Sequence, residues 1–278
     1  MLNLILENHN CRIVKLLRPP NLIFLYEEMS DKILILNAKM ANVTQEKLLD
    51  QLTEGVLITP NVDHLIKLQR DKEYYHVVKN SEWVICDSKI LYLCSKLLKN
   101  SLVESIPGSS FFQAFYEYHK NDEDCKIFLL GGMNDVALKA QQAINDRVGR
   151  NIVVGAFSPS YGFDRKPEEN DQICQMINDS GATVVLVGVG CPKQEKWIAA
   201  HKDKMPGVKI WMALGATIDF EAGLVKRAPV IWQKMYLEWF YRFLQEPRRL
   251  FKRYFIDDPK FFWYFGKQLL GIYKDPFS

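Results

Sequence analysis

Five short segments carry residue types capable of chemistry, and each stands directly behind an apolar run: Thr59-Pro60-Asn61, Asp87-Ser88, Gly131-Gly132-Met133-Asn134, Gly188 to Glu195, and Gly215 to Asp219. Asp87 closes the run WVIC (83–86), where a carboxylate can take the proton of a hydroxyl nucleophile. The same residue can instead cap a helix starting at Ser88. Gly131 and Gly132 lie between an apolar run and a helical stretch, so their backbone N–H groups can approach a diphosphate at a helix N-terminus. The plainer reading of the pair is a tight turn. In GVGCPKQEKW (188–197), Gly188 and Gly190 lead through Pro192 into a helix that opens with Lys193, Gln194 and Glu195. Gln194 offers donors and an acceptor suited to a sugar amide or hydroxyl, and Glu195 is a candidate binding residue beside it whose plainer reading is to favour the helix dipole. A nicotinamide dinucleotide fingerprint is the competing reading, but the third glycine and the acidic residue after the next strand are missing.

These segments need elements to hold them. The runs ILILN (33–37), VLIT ending at Thr59, WVIC (83–86), KIFLLG (126–131), NIVVG (151–155), TVVLVG (183–188) and VKIWMA (208–213) read as strands. Between them lie stretches of helical composition, such as 43–52, 136–149 and 169–179. Alternation of this kind predicts an α/β chain with a Rossmann-like parallel sheet covered by helices on both faces. Ligands of such sheets sit beyond the carboxyl ends of the strands, so the five segments are expected to form one site.

Past Ala228 the character changes. From Lys226 onward there are 11 Lys and Arg against 5 Asp and Glu, and 16 of the 34 aromatic residues. The preceding body carries a net charge of −3, against +3 for the whole chain. A basic, aromatic-rich tail suits an anionic surface, although a packed helical pair accounts for part of its aromatics. Apolar residues at helical spacing (Trp232, Met235, Trp239, Phe243) predict one helix, and Pro247 starts another. The expected division is an N-terminal extension at 1–30, a core at 31–225 and a helical C-terminal appendage at 226–278. No apolar run is long enough to span a bilayer, and the N-terminus lacks the marks of a signal peptide, so a cytoplasmic protein lying on the inner membrane face is expected. The six cysteines show no C-x-x-C pair and read as reduced thiols. The only Asp-x-Asp triplet, Asp122-Glu123-Asp124, precedes a strand rather than following one, so no metal cofactor is expected. Arginines of the tail can stabilise a departing diphosphate in its place.

Taken in order, TPNVDH (59–64), the strand-end Asp87, LLGGMNDVA (129–137), GVGCPKQEKW (188–197), ALGATIDFEAG (213–223) and KRAPVIWQKMYLEWFYRFLQEPRRLFKRY (226–254) resemble the WecG/TagA/CpsF family of bacterial glycosyltransferases. The resemblance implies an inverting, metal-independent transferase with a Rossmann-like core. Its donor would be UDP-N-acetylmannosamine or a related UDP-hexosamine, and its acceptor a polyprenyl-diphosphate-linked sugar of teichoic acid or other surface polysaccharide. It assigns Thr59 and Asn61 to the acceptor pocket, Asp87 to the base, Gln194 to the pocket, Asp219 to the neighbourhood of the uracil and Tyr161 to a loop over the nucleotide. Arg242 and Arg249 match the basic positions of the family's appendage, with Lys252 and Arg253 beside the third. Ser88-Lys89 replaces the glycine that often follows the base, and the first 30 residues lie outside the resemblance. The expected partners are thus the two substrates and an anionic membrane, not a nucleic acid, with self-association left open. A non-catalytic, membrane-associated scaffold of polysaccharide assembly is the alternative, and intact Asp87, Gln194 and tail arginines weigh against it.

Overall fold

The computed structural model describes residues 11–14, 25–28 and 31–278, except 226–227, 230–231 and 233–237; the side chains of 11–14, 25–28, Glu238 and Arg249 also lie outside the described set. Six parallel strands form the central sheet: β5 (Gly55–Ile58), β6 (Trp83–Val84), β7 (Ile127–Gly131), β8 (Val153–Phe157), β9 (Val184–Gly188) and β10 (Ile210–Ala213), in spatial order β6-β5-β10-β9-β7-β8. Their near-continuous apolar runs fit a sheet buried on both sides. Alternate residues go to opposite faces: Val185 and Val187 join one hydrophobic cluster, Val184 and Leu186 the other. Fully burying each such side chain stabilises the fold by roughly 1.5–3 kcal/mol. This is the expected Rossmann-like α/β architecture with a helical C-terminal portion.

Two antiparallel pairs stand apart from that sheet. Cys11–Val14 (β1) pairs with Leu25–Glu28 (β2), inside the extension for which the sequence suggested no structure. The run at 33–37, expected as a strand of the parallel sheet, instead supplies β3 (Lys32–Ile35) of a hairpin with β4 (Ala38–Ala41). The reason is local: Leu36, at φ 54°, and Asn37 turn the chain back on itself.

The helices read as the sequence dictates. Thr44 caps α1 (Gln45–Gln51), Asn61 caps α2 (Val62–Lys67), Asp71 caps α3 (Lys72–Lys79) and Ser88 caps α4 (Lys89–Ser95), each through its side-chain oxygen. One face of α5 (Gly108–Tyr118) buries Phe111, Phe112, Phe115 and Tyr116. Left-handed Gly149 and Gly181 end α6 (Val136–Val148) and α7 (Pro167–Ser180). After α8 (Lys193–His201) and α9 (Thr217–Glu221) the chain reaches its C-terminal helices: α10 (Glu238–Gln245), α11 (Pro247–Lys252), a π turn at Arg253–Asp257, and α12 (Pro259–Leu269).

The last 20 residues do not behave as an appendage. Phe261 and Phe265 of α12 are buried in the main core. Gln268 accepts from Leu36 N–H at 2.8 Å and donates to the Leu34 carbonyl at 2.8 Å, tying α12 to the hairpin. Tyr273 donates to Gln69 at 2.7 Å, Tyr75 donates to Asp275 at 2.9 Å, and Phe277 packs against the Tyr75 ring.

Candidate active site

The strand-end loops converge on a cavity of about 1170 Å³ at the carboxyl edge of the sheet. Its floor is built on glycines because three backbones meet there. A Cβ on Gly131 would collide with the Gly188 carbonyl oxygen, and one on Gly188 would lie 2.7 Å from that of Gly215. Three adjacent strands, β7, β9 and β10, thus end in loops packed backbone to backbone.

Gln194, 1% exposed, clamps two of these loops. Its Oε1 accepts from Gly190 N–H and from Gly215 N–H, both at 3.1 Å, and its Nε2 donates to Glu195 Oε1 at 3.0 Å. The amide expected to hold a sugar is therefore engaged in holding the cavity wall. Beneath it, Glu195 is fully buried and does not line the cavity; burial pushes its carboxyl up to about 7.

Asp87 lines the cavity at the start of α5, where its Oδ1 accepts from Gly108 N–H at 3.0 Å. Ser88, not Asp87, caps α4. Thr59 is close by: a Cβ on Gly108 would stand 3.1 Å from its Oγ1, so a larger residue at 108 would need its neighbours to give by a few tenths of an ångström. Asn61, the cap of α2, accepts from His64 N–H at 3.3 Å and from Arg253 Nη2 at 3.1 Å.

Arg253 also lies 3.8 Å from Asp63 and 3.9 Å from Asp258, so the π turn docks onto the start of α2. Burial works against an ionised Asp63, yet Arg253 and Lys67 outweigh it and hold its carboxyl below the usual range. Asp258 ends on the opposite side: burial dominates and pushes it up to about 6, despite Arg253. Across the cavity mouth, Arg242 lies over the Phe220 ring at 5.5 Å, and Trp239 and Tyr254 meet edge to face at 5.7 Å.

Of the residues singled out from sequence, Thr59, Asn61, Asp87, Gly132, Tyr161, Gly188, Gly190, Gln194, Asp219, Arg242 and Arg253 share this one cavity. Tyr161 is 95% exposed on a loop held by Glu169, which accepts from the Ser160 N–H and hydroxyl. Gly131, Glu195 and Lys252 are not in the lining; Gly131 spaces the strands, and Lys252 is exposed on the outer face of α11. The Arg249 side chain lies outside the described residues. Asp122, Glu123 and Asp124 stay exposed in the turn before β7. Sequence reasoning gave no site role to Asp63, Trp239 and Tyr254, although they lie within the quoted stretches 59–64 and 226–254, and it missed Lys67, Pro107 to Ser110 and Asp258 altogether. No local motif marks the latter, and only tertiary packing brings them to the cavity.

A parallel sheet with glycine-floored loops, a strand-end aspartate and cations contributed by a C-terminal segment is the kind of site that takes a phosphorylated ligand. The model of the glycosyl transferase WecG/TagA/CpsF family matches residues 33–275. The chain belongs to that family, and so to the glycosyltransferases of cell-surface polysaccharide synthesis, which use a nucleotide-sugar donor and a lipid-linked acceptor. Among the described residues, no helix is long and apolar enough to cross a membrane.

Proposed function

We propose that this chain is an inverting transferase that moves an N-acetylhexosamine-type sugar from UDP onto a polyprenyl-diphosphate-linked sugar. The observation that carries this reading is the placement of Asp87 in one cavity with the glycine floor and the C-terminal cations Arg242 and Arg253. Asp87 takes the acceptor hydroxyl proton as the new glycosidic bond forms, with its orientation set by the Gly108 N–H. Thr59 and Asn61 bound the acceptor side. The Gly132 and Gly190 loops accommodate the UDP diphosphate, and Arg242 and Arg253 offset its growing charge as it leaves. Asp219 and Tyr161 flank the nucleoside. In this mechanism the cations do the work that a divalent metal does elsewhere.

The test is UDP release with a polyprenyl-diphosphate-sugar analogue. Wild-type enzyme is expected to turn over, and Asp87→Asn to bind UDP normally while turning over roughly 10²–10⁴-fold more slowly. A variant with near wild-type kcat removes Asp87 from this role. Added Mg²⁺ or Mn²⁺ should leave kcat unchanged; strict dependence on either refutes the cation-only mechanism. A chain that binds acceptor and membrane but never releases UDP would be the scaffold instead.

The membrane side of the reading rests on the C-terminal helices. Leu244, Phe251, Phe255 and Ile256 are each about half exposed, and Trp263 is 67% exposed, with Arg248 and Lys252 also turned to solvent. Apolar and basic groups together suit the interface of an anionic cytoplasmic leaflet.

A further inference from the structure

One half-buried cluster plays no part in the proposed transfer. A ring nitrogen of His64, on α2, the Cys191 sulfur and a carboxylate oxygen of Glu195, on α8, all lie within 4.8 Å of one another. Their sequence separation hides them from any spacing motif. His64 Nδ1, Glu195 Oε2 and Tyr74 Oη are buried without a well-directed hydrogen bond, the Cys191 sulfur lying close to both Glu195 and Tyr74. Buried polar atoms are rarely left this way, and several in one place call for a shared occupant. Imidazole, thiol and carboxylate are the donor set of a borderline-soft divalent cation.

We propose that His64, Cys191 and Glu195 form a zinc-class cation site that staples the first turns of α2 and α8 together. One thiolate and one carboxylate balance a double positive charge. Lys67, whose charge acts on all three residues, is offset by Asp63 at 2.7 Å and directed onto the Cys191 carbonyl at 3.1 Å. Outer contacts fix the ligands as metal sites require: Gln194 donates to the other Glu195 oxygen at 3.0 Å. His64 and Cys191 also line the cavity, which gives the ion a route in and a fourth position for water. The staple would join the turn that carries Asn61 to the loop that Gln194 clamps. It stands independently of the sugar-transfer reading.

The experiment is metal analysis of the untagged full chain purified without chelator, followed by cobalt titration of the stripped protein. The expected result is stoichiometric zinc and, with Co²⁺, a thiolate-to-cobalt charge-transfer band with visible bands of tetrahedral intensity. Cys191→Ala should abolish that charge-transfer band, whereas Cys174→Ala, a buried thiol elsewhere, should leave it intact. Chelator should lower the Tm of the wild type but not that of Cys191→Ala. Absence of zinc together with no cobalt spectrum in the wild type overturns the proposal and leaves the cluster to a buried water. So does a charge-transfer band that survives Cys191→Ala. The wild-type measurements decide the matter even if the variant fails to fold.

Discussion

Asp87 and Asp258 are both carboxylates that line one cavity, and they are held differently. Asp87 accepts from the Gly108 N–H at the start of α5. Asp258 is set among buried groups beside Asp63, with Oδ1 unpartnered, and its carboxyl is pushed up to about 6 from an ordinary 3.8. A carboxyl raised on folding keeps its proton while the unfolded chain has already lost it. The contribution of Asp258 to stability should therefore fall as pH climbs from about 4 to about 6 and then level off, with buried Glu195 adding a further decline up to about 7. Asp258→Asn should remove the first decline and raise neutral-pH stability by about 1–2 kcal/mol, measured by urea unfolding across the pH range. An unchanged pH profile would show that Asp258 is ionised at little cost. Gln194 makes a related point about single residues: with its oxygen shared by Gly190 and Gly215, its first task is architectural.

At the scale of elements, the C-terminal helices divide their labour. The π turn and α11 put Arg253, Leu250 and Tyr254 against the cavity, while Phe251, Phe255 and Ile256 face out. The outward side is free to meet lipid without disturbing the inward one. Replacing Phe251 and Phe255 with Ser should cut co-sedimentation with anionic vesicles several-fold, with unchanged Tm and unchanged turnover on a soluble acceptor analogue. High salt should weaken the residual binding, because each exposed Lys or Arg near the surface contributes about 1 kcal/mol that salt screens. Full vesicle binding by the double variant would move the membrane contact elsewhere.

For the molecule as a whole, the end of the chain is part of what keeps the beginning folded. Deleting 259–278 removes Phe261 and Phe265 from the core, along with the Gln268 bridge to the hairpin and the Asp275 contact to Tyr75. Loss of two buried aromatics alone costs on the order of 3–5 kcal/mol each, a large part of a domain's net stability. The truncated chain is expected to be aggregated or largely unfolded by circular dichroism at 37 °C. A truncated chain that stays folded with native Tm would make α12 an ornament rather than a wall of the core.

How far the sequence reached follows from the range of the forces involved. Sheet class and strand-end loops were legible because the alternation of apolar runs with polar or glycine-rich segments acts over a few neighbours, whereas the one cap read from sequence, Asp87, fell a residue short of Ser88. The run at 33–37 misled because its apolar pattern suits a hairpin arm as well as a buried strand, and the turn at Leu36 decided between them. Thr59, Asp87, Gln194 and Asp219 could be picked out because a parallel sheet gathers whatever follows its strands. Tertiary structure alone decided what those residues touch. It turned Gln194 into a clamp, buried Glu195 beside His64 and Cys191, brought Arg253 onto Asn61, and folded α12 back into the core. Each of these contacts joins residues whose meeting depends on helix packing angles and chain return. Such geometry is set by the summed burial of many side chains, and no single stretch of sequence contains it.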